Sequence, residues 1–162
     1  MNSYGRIFAA LNEAGVQYIV VGGVAMNFLG YPRFTGDIDI LMALDEPNLK
    51  NMTQLMKTMG YVQRVPVNIE ELGDEKKVLM LIRDKNLIAF AFINDAEPQF
   101  NIDIIVGESL NFDHYREHQQ ILKVLGTAVP IVSIDDLIGM KKKSNRKQDA
   151  EDVAALLELK GL

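Results

Sequence analysis

Cysteine is absent from the 162 residues, so neither a disulfide framework nor a thiolate metal site is available. The lack fits a reducing cytosol. No long apolar run is present either. The longest nearly uncharged stretch, Tyr18 to Tyr31, is too short to cross a bilayer and is interrupted by Gly22-Gly23. The opening residues, Met1 to Arg6, lack the apolar core of a secretory signal. Positive charge is in deficit: 17 Lys and Arg stand against 22 Asp and Glu, a net charge of −5. That balance disfavours a broad basic footprint on long nucleic acid. A local cluster, Lys141-Lys142-Lys143 with Arg146 and Lys147, leaves room for a small phosphate-bearing ligand. Repeats, low-complexity tracts and linkers are also missing. With 48% hydrophobic and 24% charged residues, the composition is that of a globular protein rather than a disordered one. The expectation is one cytoplasmic domain over residues 1–162, with a core to about 132 and a helical segment from about 133, and no membrane association.

Apolar spacing outlines the elements. Ser3 is placed to cap a helix reaching about Ala14, with Ile7, Phe8 and Leu11 at helical intervals and Gly15 as the stop. Gln17 to Val21 reads as a buried strand, Val24 to Leu29 as a short helix, and Asp37 to Ala43 as a second strand. Asp45 caps a helix to about Met59, whose methionines pack the core. Tyr61 to Val67 is extended, because Pro66 cannot sit in a helix interior. Val78 to Ile82 fits strand or helix, and helix is preferred for its Leu and Met content and flanking charges. Leu87 to Ile93 and Phe100 to Val106 form a hairpin. Asn111 to Gln120 is a polar helix, and two short strands flank Gly126. Ser133 or Asp135 opens a helix to about Lys143, and Arg146 to Leu159 forms the last. The fold class is α/β (α+β): a mixed sheet flanked by helices, with helices at the C-terminus.

Chemistry concentrates in Tyr18 to Met42. In a strand, residues i and i+2 share a face, so Asp37 and Asp39 project together while Ile38 and Ile40 turn to the core. Two carboxylates this close repel unless a cation lies between them, and paired oxygens suit Mg²⁺. Asp103 stands alone in Phe100 to Val106 and, buried, needs a partner. Adjacent strands would bring all three aspartates together. Gly22-Gly23 joins a strand to a short helix and lets backbone N–H groups approach an anion, though a plain turn has the same sequence. Neither a dinucleotide fingerprint nor a P-loop is present, since the third glycine and the Gly-Lys-Ser/Thr ending are missing. Arg33 and Thr35 can reach phosphate oxygens, or Arg33 can be a solvated loop residue.

His114 and His118 have a spacing zinc can use, but no Glu follows His114 and a solvated helix face is the preferred reading. Lys141 to Lys147 can equally be an exposed helix end favoured by the macrodipole. Asp149 and Asp152 read as helix-start charges and salt-bridge partners rather than ligands. A phosphatase using D-x-D fits poorly, because Asp37 begins its strand rather than following it.

Taken together, Gly-Gly, Arg33-x-Thr35-x-Asp37-Ile38-Asp39, the strand with Asp103, and Leu137 to Lys141 followed by Arg146-Lys147-x-Asp149-x-x-Asp152 resemble the nucleotidyltransferase fold of the DNA polymerase beta superfamily. The likeness runs from about Val16 to Leu159. It is strongest to small bacterial nucleotidyltransferases related to abortive-infection toxins and to aminoglycoside nucleotidyltransferases. The resemblance implies that Asp37 and Asp39 bind Mg²⁺, or Mn²⁺, bridging an NTP. It makes Asp103 the support for a second metal and the base toward the acceptor. Gly22 and Gly23 would hold the β/γ-phosphates, with Lys141 near the triphosphate. The superfamily often has Gly-Ser where this chain has Gly-Gly, so Gly23 lacks a phosphate-contacting hydroxyl; many members of the subgroup share Gly-Gly. The expected activity is transfer of a nucleoside monophosphate to an unidentified small molecule, protein or RNA end, the last disfavoured by charge. The alternative is a fold member that binds nucleotide or a partner without turnover, as in a toxin–antitoxin pair. The short segment after Ser133 leaves little for an acceptor pocket, which a homodimer could complete.

Overall fold

A computed structural model describes residues 3–65, 67–108, 110–144 and 146–161. The side chain of Ser3 and all of Pro66, on which two expectations rested, lie outside the described part. Helix α1 (Ser3–Glu13) precedes β1 (Tyr18–Val21), α2 (Gly22–Phe28), β2 (Asp37–Met42) and α3 (Glu46–Thr58). A two-residue β3 (Val62–Gln63) and a 3₁₀ turn (Ile69–Gly73) lead to α4 (Glu75–Lys85). Then come β4 (Ala89–Ile93), β5 (Asn101–Ile105), α5 (Phe112–His118), β6 (Gln120–Val124), β7 (Thr127–Ile131), α6 (Ile134–Ser144) and α7 (Lys147–Lys160).

The seven strands form one mixed sheet in the order β3-β4-β5-β2-β1-β7-β6. β2 runs antiparallel to β1 and parallel to β5. This central trio fixes everything that follows. Ile38 pairs with Ile102 and Ile40 with Ile104, and across the next seam Phe90 pairs with Ile104 and Phe92 with Ile102. All six side chains are buried on one face. Period-two alternation therefore sends Asp37, Asp39 and Asp103 to the opposite face.

Local chemistry explains the element ends. Asp45 accepts from the Asn48 backbone N–H and caps α3. The buried Asn48 amide donates to the carbonyls of Gln17 and Ala43 and accepts from Gln17 N–H, so α3 is pinned to the ends of β1 and β2. Ser133 accepts from Asp136 N–H and opens α6. Val78 to Ile82 is helical within α4, which stops at a left-handed Asn86. That stop delays β4 to Ala89. The extended reading of Tyr61 to Val67 contracts to β3, at the sheet edge with Val62 exposed. Helix α2 starts at Gly22 rather than Val24, because the turn is made by Gly22 alone. Among the described residues, no helix is long and apolar enough to cross a membrane.

Candidate active site

Strand register assembles the carboxylates. Asp39 stands directly beside Asp103 across the parallel β2–β5 seam, and Asp37 lies two residues along the same strand, beside Asn101. On the far side of Asp103, β4 contributes only Ala91, a side chain too small to cover it. Burial pushes the Asp39 carboxyl up to about 7, helped by the charges of Asp103 and Asp37 and opposed by Lys141 and Arg146. Burial likewise lifts Asp103 to about 6, with the charge and hydrogen bond of Asp37 adding to it. The three side chains share one face of the sheet, with Asp37 and Asp103 in hydrogen-bonding reach of each other. Their donor set, oxygens only and held on rigid neighbouring strands, fits a hard divalent cation.

The glycine pair is shaped around this cluster. Val21 pairs with Asp39, so the chain turns immediately above that carboxylate. Gly22 has φ +67°, and a Cβ there would meet Asp39 Oδ2 at 2.2 Å. Only glycine accepts both the backbone and the contact. A Cβ on Gly23 would meet Thr35 Oγ1 at 2.6 Å, so the departure from Gly-Ser has a steric cause. Thr35 in turn donates to the carbonyl of Asp37 across 3.3 Å. The loop before it is tied back by Arg33 N–H, which donates to Asn27 Oδ1 at 2.7 Å.

Facing the aspartates is a second ionic group. Lys141 is buried rather than displayed on a helix end. Its Nζ lies 2.8 Å from Asp152 and 3.5 Å from Asp149. Arg33 is no solvated loop residue either: its guanidinium pairs with Asp152, which is fully buried. Gln148 donates to the other Asp152 oxygen at 3.1 Å. Asp149 Oδ2 accepts from the backbone and side chain of Arg146. Burial acts to raise the Asp149 carboxyl, but hydrogen bonds from Ser144 and Arg146 outweigh it and hold the group at about 2. Asp149 Oδ1 is buried without a hydrogen bond; Lys141 neutralises it at ion-pair distance without bonding geometry.

A cleft of about 850 Å³ separates the two groups, well inside the range of small-ligand sites. Gly22, Gly23, Arg33, Thr35, Asp37, Asp39, Asp103 and Lys141 all line it. The rest of its lining combines an apolar patch, including Ile88, Leu110, Tyr115 and Met140, with the polar group Lys143, Ser144, Arg146 and Asp149. Phe34 and Ile88, both on the lining, are 91% and 75% exposed.

Comparison with known proteins gives the family and the fold. The family described as "Nucleotidyl transferase AbiEii toxin, Type IV TA system" matches residues 6–161. The chain belongs to the AbiEii nucleotidyl transferase family. It is thus a nucleotidyltransferase, in a family named for a toxin–antitoxin system. No curated protein matches it significantly.

Solved structures share the fold of this AbiEii family member. The lincosamide antibiotic adenylyltransferase LnuA, solved with lincomycin, superposes with a TM-score of 0.64 at 13% identity, covering 98% of both chains. ANT(2″)-Ia, solved with adenylyl-2″-tobramycin, gives 0.59 at 13% identity over 93% of this chain and 83% of its own. An antigenic nucleotidyltransferase-like protein from Paracoccidioides brasiliensis gives 0.60 at 16% identity over 96% and 73%.

The reading of Asp149 and Asp152 as salt-bridge partners holds, with Lys141, Arg33 and Arg146 as the cations; what it did not foresee is that both aspartates are buried. A signal existed. Asp149, Asp152, Ala155 and Leu156 are the buried positions of α7, so both aspartates occupy the stripe an apolar residue would take.

Proposed function

We propose that the protein moves a nucleoside monophosphate from an NTP to an acceptor and releases pyrophosphate, using Asp37, Asp39 and Asp103 with Mg²⁺ or Mn²⁺. The observation that carries this reading is the in-register pair Asp39–Asp103, with Asp37 on the same face, across a cleft from Lys141 and Arg33. Bound metal would neutralise phosphate oxygens and support the entering and leaving oxygens of an in-line displacement.

The chain's own residues do the rest. Gly22 and Gly23 bare the backbone to the β/γ-phosphates, since no Cβ intervenes. Arg33 and Lys141 set positive charge opposite the carboxylates, and Thr35 fixes the loop between them. An acceptor oxygen attacks the α-phosphorus, the bond to pyrophosphate breaks, and Asp103 takes the acceptor proton. The apolar wall of Ile88, Leu110, Tyr115 and Met140 receives the non-reacting part of the acceptor, whether small molecule, protein side chain or RNA end. Residues 1–162 act as one unit, because α6 and α7 complete the cleft. A cytoplasmic setting supplies NTP and metal, and the family name points to an antitoxin as a partner.

A second reading, nucleotide binding without turnover, draws on one observation. Lys141 and Arg33 are already neutralised by Asp152 and Asp149, which leaves less free positive charge for a triphosphate. Incubation with each labelled NTP and Mg²⁺ or Mn²⁺ separates the two. Pyrophosphate release or a labelled product, lost in Asp39→Asn, supports transfer. Retained activity in Asp39→Asn overturns the metal assignment. Calorimetric binding of a non-hydrolysable NTP, with no turnover across an acceptor panel, supports the second reading.

A further inference from the structure

Away from the carboxylate cluster, two imidazoles converge on one aspartate. His114 and His118 lie one turn apart on α5, and Asp136 sits in the first turn of α6. His118 Nδ1 is 3.2 Å from Asp136 Oδ2, and His114 Nε2 is 4.0 Å from Asp136 Oδ1. The two rings stand at 82° with centroids 5.0 Å apart. His114 is also held edge-on by Tyr115. One ligand atom from each residue can be chosen so that all three lie within 4.8 Å of one another; among the described residues, only this set of three His, Asp or Glu groups does so.

We infer that His114, His118 and Asp136 form a second cation site, suited to Zn²⁺ or a similar transition metal, which ties α5 to α6. Ligands on a tetrahedral zinc at about 2.0–2.1 Å stand about 3.4 Å apart. The His118–Asp136 pair already has that spacing. The wider gaps close by rotation of side chains that are half exposed, His114 57% and His118 50%. A single hydrogen bond to Asp136 needs only one histidine. Two imidazoles converging on the same carboxylate are satisfied together by a cation, whose charge Asp136 offsets. Solvent takes the fourth position.

The donor set also separates this site from the aspartates. Nitrogen with a single carboxylate suits zinc, cobalt or nickel, whereas oxygen-only sites suit Mg²⁺. The site adjoins the cleft through its supporting helices: Tyr115 on α5 and Leu137, Met140 and Lys141 on α6 all line it. An ion here therefore stiffens one wall without touching the carboxylates.

The test titrates Co²⁺ into the full chain at about pH 7.5, with excess Mg²⁺ present to fill the carboxylate cluster. A saturable visible d–d band should appear together with a higher Tm. His118→Ala, His114→Ala and Asp136→Asn should each weaken Co²⁺ by at least about tenfold, with unchanged circular dichroism. His118→Gln provides a more conservative second variant. Asp39→Asn should keep the band, so loss of nucleotidyl transfer and loss of this site read out separately. Absorbance that rises linearly without saturation overturns the inference, as does a band that survives His118→Ala and His118→Gln. A band lost in Asp39→Asn also overturns it, by placing the cobalt at the carboxylates.

Discussion

The two walls of the cleft bury charge in opposite ways. On the sheet, Asp37, Asp39 and Asp103 crowd like charges on neighbouring strands, and burial plus repulsion raise Asp39 to about 7 and Asp103 to about 6. On the helices, Asp149 and Asp152 are matched by Lys141, Arg33 and Arg146, and hydrogen bonding holds Asp149 at about 2. The first group is unbalanced as it stands, and the cation proposed for it would relieve the repulsion. The second is already balanced and gains from being left alone. In this cleft the direction in which proton affinity moves separates the crowded carboxylates from the paired one.

Asp39→Asn breaks the comparison most sharply on the sheet side. NTP turnover should fall at least about a hundredfold, while Tm stays level or rises because a repelling buried charge is gone. Pyrophosphate release and a melting curve on the same sample check both halves. Asp152→Asn should do the reverse. It strands Lys141 and Arg33 near each other without their shared anion, and losing one partner of a buried ion pair costs about 3–5 kcal/mol. Urea unfolding reads that loss. An Asp152→Asn protein as stable as the parent would dissolve the distinction between the walls.

The balanced and unbalanced carboxylates also respond oppositely to pH. Asp39 is raised from its ordinary 3.8 to about 7, so in metal-free protein its stability contribution is full below about pH 4 and is lost as pH rises through 7. Added Mg²⁺ should therefore raise Tm more at pH 8 than at pH 5, and Asp39→Asn should flatten that difference. Asp149 lies below its ordinary 3.8, at about 2; its contribution is complete above pH 4 and is lost as pH falls through 2. Acid unfolding should show a shallower low-pH decline in Asp149→Asn than in the parent, the smallest of these effects.

How much could be read beforehand follows the same division. Alternation along Asp37 to Met42 was enough to put Asp37 and Asp39 on one face, and an isolated Asp103 in an apolar strand asked for a neighbour. Those inferences need only the two-residue period of a strand. The partners of Asp152 come from α6 and from the loop at Arg33, 119 positions away, and no local period encodes that meeting. Helix phase alone would have flagged Asp149 and Asp152 as inward-facing, because they share a stripe with Ala155 and Leu156. The His114–His118 spacing was visible, whereas Asp136 as their companion depends on how α5 and α6 pack. Gly22 could be recognised as a turn residue. Its tight approach to Asp39 required the β1–β2 register.

That register carries one more consequence. Because Asp39 and Asp103 are direct neighbours across a parallel seam, the distance between their Cα atoms is the spacing of hydrogen-bonded strands, about 4.8 Å. The gauge of this carboxylate pair is thus cut by main-chain amides and not by the side chains around it. Surrounding residues can drift in identity without changing that gauge, provided the strands survive. A glutamate at either position would overshoot by one methylene even in an otherwise perfect fold.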